Sequence, residues 1–312
     1  MKALLGTTGL EVSRIGLGAW GIGGVHYGEV AHDEALAAIV AYLDGGGNFI
    51  DTARAYGRSE ELLGEVLPDH PDAIVVSKTP HTAALDQVSL IRRDIEESLT
   101  RLRRDRIDVE LMHQPSPDPH VRDAVLTELE SCRDEGLIGH VGASIAGPTV
   151  TDATEAMLDD YVATGRIEVV EVVVSVLRQR LLPAIQRCHT AGVGVIVRTA
   201  LESGFLSGRY PASHVFGDGD HRHRWSAEVR AAIDAAVVEV AGLATVAGAT
   251  DLVDVAARFP LAHAGVSTVI LGATTAEQVR RNHAIGARGQ LDAALQAALE
   301  AWGRDRTADF NP

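Results

Sequence analysis

Short β-branched apolar runs alternate along this chain with longer stretches whose apolar residues recur at helical spacing. The runs predict strands at Arg14–Gly18, Asn48–Thr52, Ala73–Lys78, Ile107–Met112, Gly139–Ala143, Ile167–Val174, Gly194–Thr199 and Ser267–Leu271. Each is mostly apolar over about 4–8 residues, the pattern of parallel strands covered on both faces. Between them the spacing predicts helices over Asp33–Leu43, Ser59–Leu67, Leu85–Leu102, His120–Glu135, Val150–Thr164, Leu181–Ala191, Asp251–His263 and Ala276–Ala284. Gly45-Gly46-Gly47 stops the first of these helices before the next strand. Leu4–Leu5 and Glu11–Ser13, on either side of Gly6-Thr7-Thr8-Gly9, predict an N-terminal β-hairpin.

Eight strand-then-helix units, spaced roughly 30–40 residues apart, match a (β/α)8 TIM barrel in number and total length. A doubly wound open sheet gives the same local signals, but eight regular units favour the closed barrel. The expected organisation is one α/β domain over residues 1–312. One connection is long, from Leu201 to about Thr250, after the seventh barrel strand. It holds the polar stretch Phe216–Trp225 and an Ala-rich helix starting near Ser226, and loops of this length are usually functional.

Charge narrows the class of partner. Lys+Arg 28 against Asp+Glu 43 leaves the 312-residue chain at −15, which opposes nucleic acid and anionic membranes. The basic cluster Arg101, Arg103, Arg104 and Arg106 reads as a helix end, where cations meet exposed carbonyls. Cys132 and Cys188 fall inside predicted helices without metal-ligand spacing and read as reduced thiols. No apolar run reaches about 18 residues. The opening Met1-Lys2-Ala3-Leu4-Leu5-Gly6 lacks the apolar run of a signal peptide, so a cytoplasmic protein is expected.

Several motifs are weaker than they look. Gly16-Leu17-Gly18-Ala19-Trp20-Gly21 fits G-x-G-x-x-G, but loop rather than helix follows, and no acid ends the second strand at the required distance. A P-loop is absent. His221 and His223 flank Arg222 without zinc-ligand spacing, and that stretch reads as solvated loop. No metal is expected. Gly142-Ala143-Ser144 lacks the second glycine of a hydrolase nucleophile elbow.

The chemistry lies at three strand ends. Phe49-Ile50-Asp51 is followed by Tyr56 in the next loop, Val75-Val76-Ser77 ends in Lys78, and Leu111-Met112 ends in His113. Ionisable residues at the C-terminal ends of adjacent barrel strands converge on one space. There, Lys78 is expected to lower the pKa of Tyr56, as an opposite charge does. Asp51 would hold Lys78 charged and in place. His113 would hydrogen-bond the carbonyl oxygen that Tyr56 protonates. Such a group polarises a carbonyl and supplies one proton but carries no hydride, so a cofactor must bring it.

These residues resemble the aldo-keto reductase family across nearly the whole chain. Leu5-Gly6-Thr7-Thr8-Gly9-Leu10 with Gly16-Leu17-Gly18-Ala19-Trp20 is similar to the family's start, and Asn48–Gly57 with Ser59-Glu60 to its most specific signature. Ser77-Lys78 and His113-Gln114-Pro115 fall where its lysine and histidine are expected. The resemblance implies a catalytic tetrad of Asp51, Tyr56, Lys78 and His113, a (β/α)8 barrel, and a nicotinamide dinucleotide, NADP(H) ahead of NAD(H). For the cofactor it implies Trp20, Ser144, Glu171 and Arg198, then Thr199, Leu201, Gly204 and Leu206 about the pyrophosphate. Gly272, Thr274, Gln278 and Asn282 would meet the adenosine. Trp20, Tyr27 and Trp225 would shape a pocket for a small carbonyl or alcohol substrate.

Three positions depart from the family pattern. Its Ser-Asn pair for the carboxamide reads Ser144-Ile145, and its usual glutamine on the sixth barrel strand is Glu171. A carboxylate accepts hydrogen bonds but cannot donate one to the carboxamide oxygen, so Glu171→Gln is expected to tighten nicotinamide binding. Thr274 stands where many NADPH-preferring members carry a basic residue; Arg280 and Arg281 nearby could substitute, but basic residues on the solvated face of a helix are the commoner explanation. The leading function is an NAD(P)-dependent carbonyl reductase or alcohol dehydrogenase with Tyr56 as general acid. A non-redox lyase, dehydratase or isomerase using the same Tyr/Lys/His site is the alternative, and a nucleotide-sensing subunit a third reading.

Overall fold

The computed structural model describes residues 1–24, 27–145, 150–304 and 310. Its first two strands, β1 (Lys2–Leu4) and β2 (Glu11–Ser13), form an antiparallel hairpin with Lys2 opposite Ser13. The next eight are β3 (Ile15–Gly18), β4 (Phe49–Asp51), β5 (Ile74–Thr79), β6 (Ile107–His113), β7 (Ile138–Ser144), β8 (Val169–Val173), β9 (Gly194–Arg198) and β10 (Val266–Gly272). All are parallel, and pairing of β10 with both β9 and β3 closes the ring, which excludes the open sheet. Each predicted strand is present with its ends moved by no more than two residues.

Inward and outward side chains alternate along every barrel strand. Phe49, Val76, Val109, Leu111, Val169, Ile196 and Ile270 fill the inside. Leu5 and Val12 from the hairpin pack with them. Gly6 makes that plug possible: its φ is +57°, and a Cβ there would sit 2.3 Å from Gly194 N. Outward residues pack against the helices. In α1 (His32–Asp44), Ala35, Ala38, Ile39 and Tyr42 face inward, and the Tyr42 hydroxyl donates to Ile15 O at 3.0 Å.

Helix boundaries differ from the sequence expectation where local bonds or burial decide them. The stretch expected as one helix over Leu85–Leu102 is a 3-10 segment (Leu85–Leu90) followed by a separate helix, Ile91–Leu102. Ile91, Ile95, Leu99 and Leu102 anchor the second part, whereas Leu85 and Leu90 are exposed and hold nothing in line. Thr151 caps the helix Asp152–Thr164 with a reciprocal capping box, so that helix starts two residues later than expected. Asp251 likewise caps the helix Leu252–Leu261. The long connection contains the helix Ala227–Val246, capped by Ser226. A further helix, Ala293–Arg304, was not anticipated; it buries Leu295 and Leu299. The arginine cluster does close a helix: Arg103 takes a left-handed φ of 52° at its C-cap, and Arg104 donates to Ala73 O at 2.7 Å. Both cysteines are buried free thiols.

Candidate active site

The alternation that fills the barrel also delivers its ionisable groups. Asp51 lies two residues beyond Phe49, Lys78 beyond Val76, His113 beyond Leu111, Glu171 beyond Val169 and Arg198 beyond Ile196. Each therefore shares the inward face of its strand, one layer above the apolar plug. Strand register sets their order, with His113 opposite Ser144 and Ser144 opposite Glu171.

Lys78 is wholly buried at the centre of this layer. Its ammonium contacts Asp51 Oδ2, donates to Thr52 O at 3.0 Å, and lies 3.3 Å from Glu171 Oε2. Burial works against the charged lysine, but Asp51 and Glu171 together outweigh it and hold its pKa above the ordinary value. Asp51 is the carboxyl pushed upward, by burial first and by the charge of Glu171 second. Glu171 also feels burial, but Lys78 and then Arg198 outweigh it and keep this carboxyl ionised. Ser144 Oγ donates to Glu171 Oε1 at 2.7 Å, and Arg198 Nε lies 3.3 Å from the same oxygen.

Tyr56 sits on the loop after β4. Arg54 of the same loop pairs with Asp94 at 3.2 Å and with Glu97, both on the helix Ile91–Leu102. On the other side Gly23 touches the loop so closely that a Cβ would be 1.9 Å from Tyr56 O. The Lys78 ammonium is 5.0 Å from the centre of the Tyr56 ring, and the His113 ring is 6.1 Å from it at 82°. The balance of forces on this phenol differs from the sequence expectation. Lys78 does act to lower its pKa, but burial is the larger effect and pushes it up to about 12. Tyr56 thus holds its proton at neutral pH. His113 is driven the other way, down to about 4, by burial and then by the charge of Lys78, so its imidazole is neutral.

A cavity of about 630 Å³ opens above this layer, within the range of about 300–1,000 Å³ usual for organic ligands. Trp20 and Tyr27 wall it at one side, and Ser144, Glu171 and Arg198 form its floor. It continues past Thr199, Leu201 and Gly204 to Gly272, Thr274, Gln278 and Asn282. The last two side chains also bind the chain between β10 and the helix Ala276–Ile285: Gln278 Oε1 accepts from Thr274 N at 2.9 Å, and Asn282 donates to Gly272 O at 3.4 Å. Of the two arginines on that helix, Arg281 lines the cavity and pairs with Asp251 at 2.8 Å, whereas Arg280 does not line it. Leu206 and Trp225 are buried and absent from the lining. Trp225 packs on Phe205, and its indole donates to Phe310 O at 3.0 Å.

Sequence reasoning missed part of this wall. Arg222, read as solvated loop, is buried and pairs with Asp220. Its guanidinium lies 4.4 Å from the Tyr210 ring centre and 5.0 Å from that of Tyr27. His221 packs 4.5 Å from Tyr27 and 4.7 Å from Trp20, centre to centre. The polar composition of the loop concealed aromatic partners supplied by distant segments. Gln114, Thr199 and Ser203 line the cavity with positive φ values of 59°, 63° and 54°, strain of the kind that collects at functional sites.

The donor set suits a nicotinamide dinucleotide. The floor offers a hydroxyl, a carboxylate and a guanidinium beside the phenol, and the cavity extends from there past Gly272 at the end of β10 toward the start of the helix Ala276–Ile285. Comparison with known proteins agrees. The family model "Aldo/keto reductase family" matches residues 14–303. The chain is 30% identical over 292 residues to L-galactose dehydrogenase of Arabidopsis thaliana, covering 89% of this chain and 85% of that one. It is 30% identical over 255 residues to the NADH-specific methylglyoxal reductase of Escherichia coli (strain K12), covering 72% and 74%. Its fold superposes on a glycerol dehydrogenase from Gluconobacter oxydans with a TM-score of 0.78 at 25% identity, covering 100% and 97%. With the closed barrel, the converging site and these likenesses together, the chain belongs to the aldo/keto reductase family of oxidoreductases.

Proposed function

We propose that the chain acts as a single-domain, NAD(P)-dependent enzyme interconverting a small carbonyl compound and its alcohol, with Tyr56 as the proton donor. The observation that carries this reading is that Tyr56 and His113 line the long cavity while the buried Lys78 ammonium lies 5.0 Å from the centre of the Tyr56 ring. Ser144, Glu171, Arg198, Thr199, Leu201 and Gly204 would hold the nicotinamide half of the cofactor, and Gly272, Thr274, Gln278 and Asn282 the adenosine half. The bound cofactor supplies or accepts the hydride at the substrate carbon. Tyr56, protonated and buried, gives its proton to the oxygen that becomes the alcohol. Lys78 stabilises the phenolate left behind. Neutral His113 orients the same oxygen by a hydrogen bond. Arg281 lines the adenosine end of the cavity beside Thr274 and Gln278, and a 2′-phosphate there would compete with Asp251 for its guanidinium, which supports NADP(H) ahead of NAD(H).

Polyhydroxylated compounds lead the substrate panel, because a galactose and a glycerol dehydrogenase are among the similar proteins and aromatic rings wall the cavity. The test follows the cofactor's own absorbance in both directions, with NADPH, NADH and their oxidised forms, over aldoses, polyols, aldehydes and ketones. Turnover with any member supports the proposal. Bound cofactor without turnover across the panel would overturn it.

The electrostatics also predict a pH profile. With the His113 pKa lowered to about 4, the neutral imidazole persists through the acid range in which a free histidine, near 6.5, would gain its proton. The acid limb of kcat is therefore expected near pH 4. An acid limb between pH 6 and 7 that vanishes in His113→Gln would contradict this assignment.

A further inference from the structure

One group on the cavity floor is not required by proton transfer from Tyr56. Glu171 lines the cavity with 1% of its surface exposed, accepts from Ser144, and bridges Lys78 and Arg198 at 3.3 Å each. Asp51 also contacts the Lys78 ammonium, so that lysine keeps a carboxyl partner when the charge at position 171 is removed. A glutamine would fill nearly the same volume and could still accept from Ser144 without the cost of burying a charge. What the carboxylate adds is a full negative charge. The groups facing it are Ser144 from β7, Arg198 from β9, and Lys78 and Asp51 across the barrel, with the neutral Tyr56 and His113 close enough for its charge to act on their titration.

We infer that Glu171 makes the cavity favour the oxidised, cationic nicotinamide ring over the neutral, reduced ring, and so equips this protein for alcohol oxidation. The inference rests on the nicotinamide reading of the cavity. The two redox forms are nearly alike in shape and differ by one positive charge on the ring. Contacts common to both change overall affinity, and only a charge separates them. In a layer as buried as this one, a change of one unit charge on the lining is enough to change the ratio of the two affinities on the order of tenfold or more. Glu171→Gln raises the local charge by one and removes that preference. The tighter binding expected on gaining a carboxamide donor is thereby confined to the reduced form.

Calorimetric titration without substrate tests this, using NAD⁺, NADH, NADP⁺ and NADPH on the wild type, Glu171→Gln and Arg198→Gln. In Glu171→Gln the ratio Kd(oxidised)/Kd(reduced) is expected to rise at least about tenfold. Arg198→Gln removes the opposing cation and should lower the same ratio. If Glu171→Gln does not fold, the arginine variant decides: a fall supports the inference, and an unchanged or higher ratio overturns it. An unchanged ratio in a folded Glu171→Gln overturns the inference and leaves the cofactor reading standing. Failure of the wild type to bind any of the four would overturn both.

Discussion

Tyr56→Phe is expected to lose at least about two orders of magnitude in turnover, the scale of a general acid's contribution, while cofactor affinity stays near the wild-type value. The substitution removes one oxygen from a ring held between Lys78, His113 and Trp20, with ring centres 6.1 and 6.2 Å from His113 and Trp20. The ring's packing survives, and the loop's anchors, Arg54 on Asp94 and the Gly23 contact, are backbone or remote side-chain features. Only the proton is lost. Tyr27 offers a comparison on the same cavity wall: its phenol is also pushed up to about 12 by burial, but it packs on Trp20 and His221 away from Lys78. Tyr27→Phe should therefore cost far less turnover. Equal losses from the two variants, or undiminished turnover in Tyr56→Phe, would remove the proton-donor role, and the cofactor titration shows in either case whether binding was disturbed.

The members of the site differ in how visible they are in the chain. A charged residue ending an otherwise apolar strand is conspicuous, and Asp51, Lys78 and His113 stand out for that reason. The barrel is legible from the count and spacing of its units. Arg222 is different, because its burial depends on rings at positions 27, 210 and 216, and a polar run gives no sign of them. Trp225 reads as a pocket residue from its place at the end of the long polar loop, whereas the structure turns it toward Phe205 and the Phe310 carbonyl. For Tyr56 the sequence carries the sign of the Lys78 effect but not the size of the burial that opposes it. That size is set by the whole enclosure. Glu171 is visible as an oddity, but its position between two cations is not, since that depends on register from β5, which carries Lys78, to β9, which carries Arg198.

Lys78→Met should be the most damaging single change, because it acts on stability and chemistry together. The substitution leaves Asp51 and Glu171 facing one another in a buried layer without the ammonium that both now contact. Breaking a buried ion cluster by removing one partner costs about 3–5 kcal/mol, read as a lower denaturation midpoint. Turnover should fall at least as far as in Tyr56→Phe, since the phenolate formed on proton transfer loses its neighbouring cation. The two effects separate in the double variant Lys78→Met with Glu171→Gln. Removing the second charge relieves the repulsion, so the midpoint should recover in part, whereas turnover should not recover at all. If the double variant were no more stable than Lys78→Met alone, Asp51 by itself would account for the stability loss, its carboxylate being the one that needs the lysine. If turnover returned with stability, Lys78 would serve to hold the fold of the layer rather than to steady the charge on Tyr56.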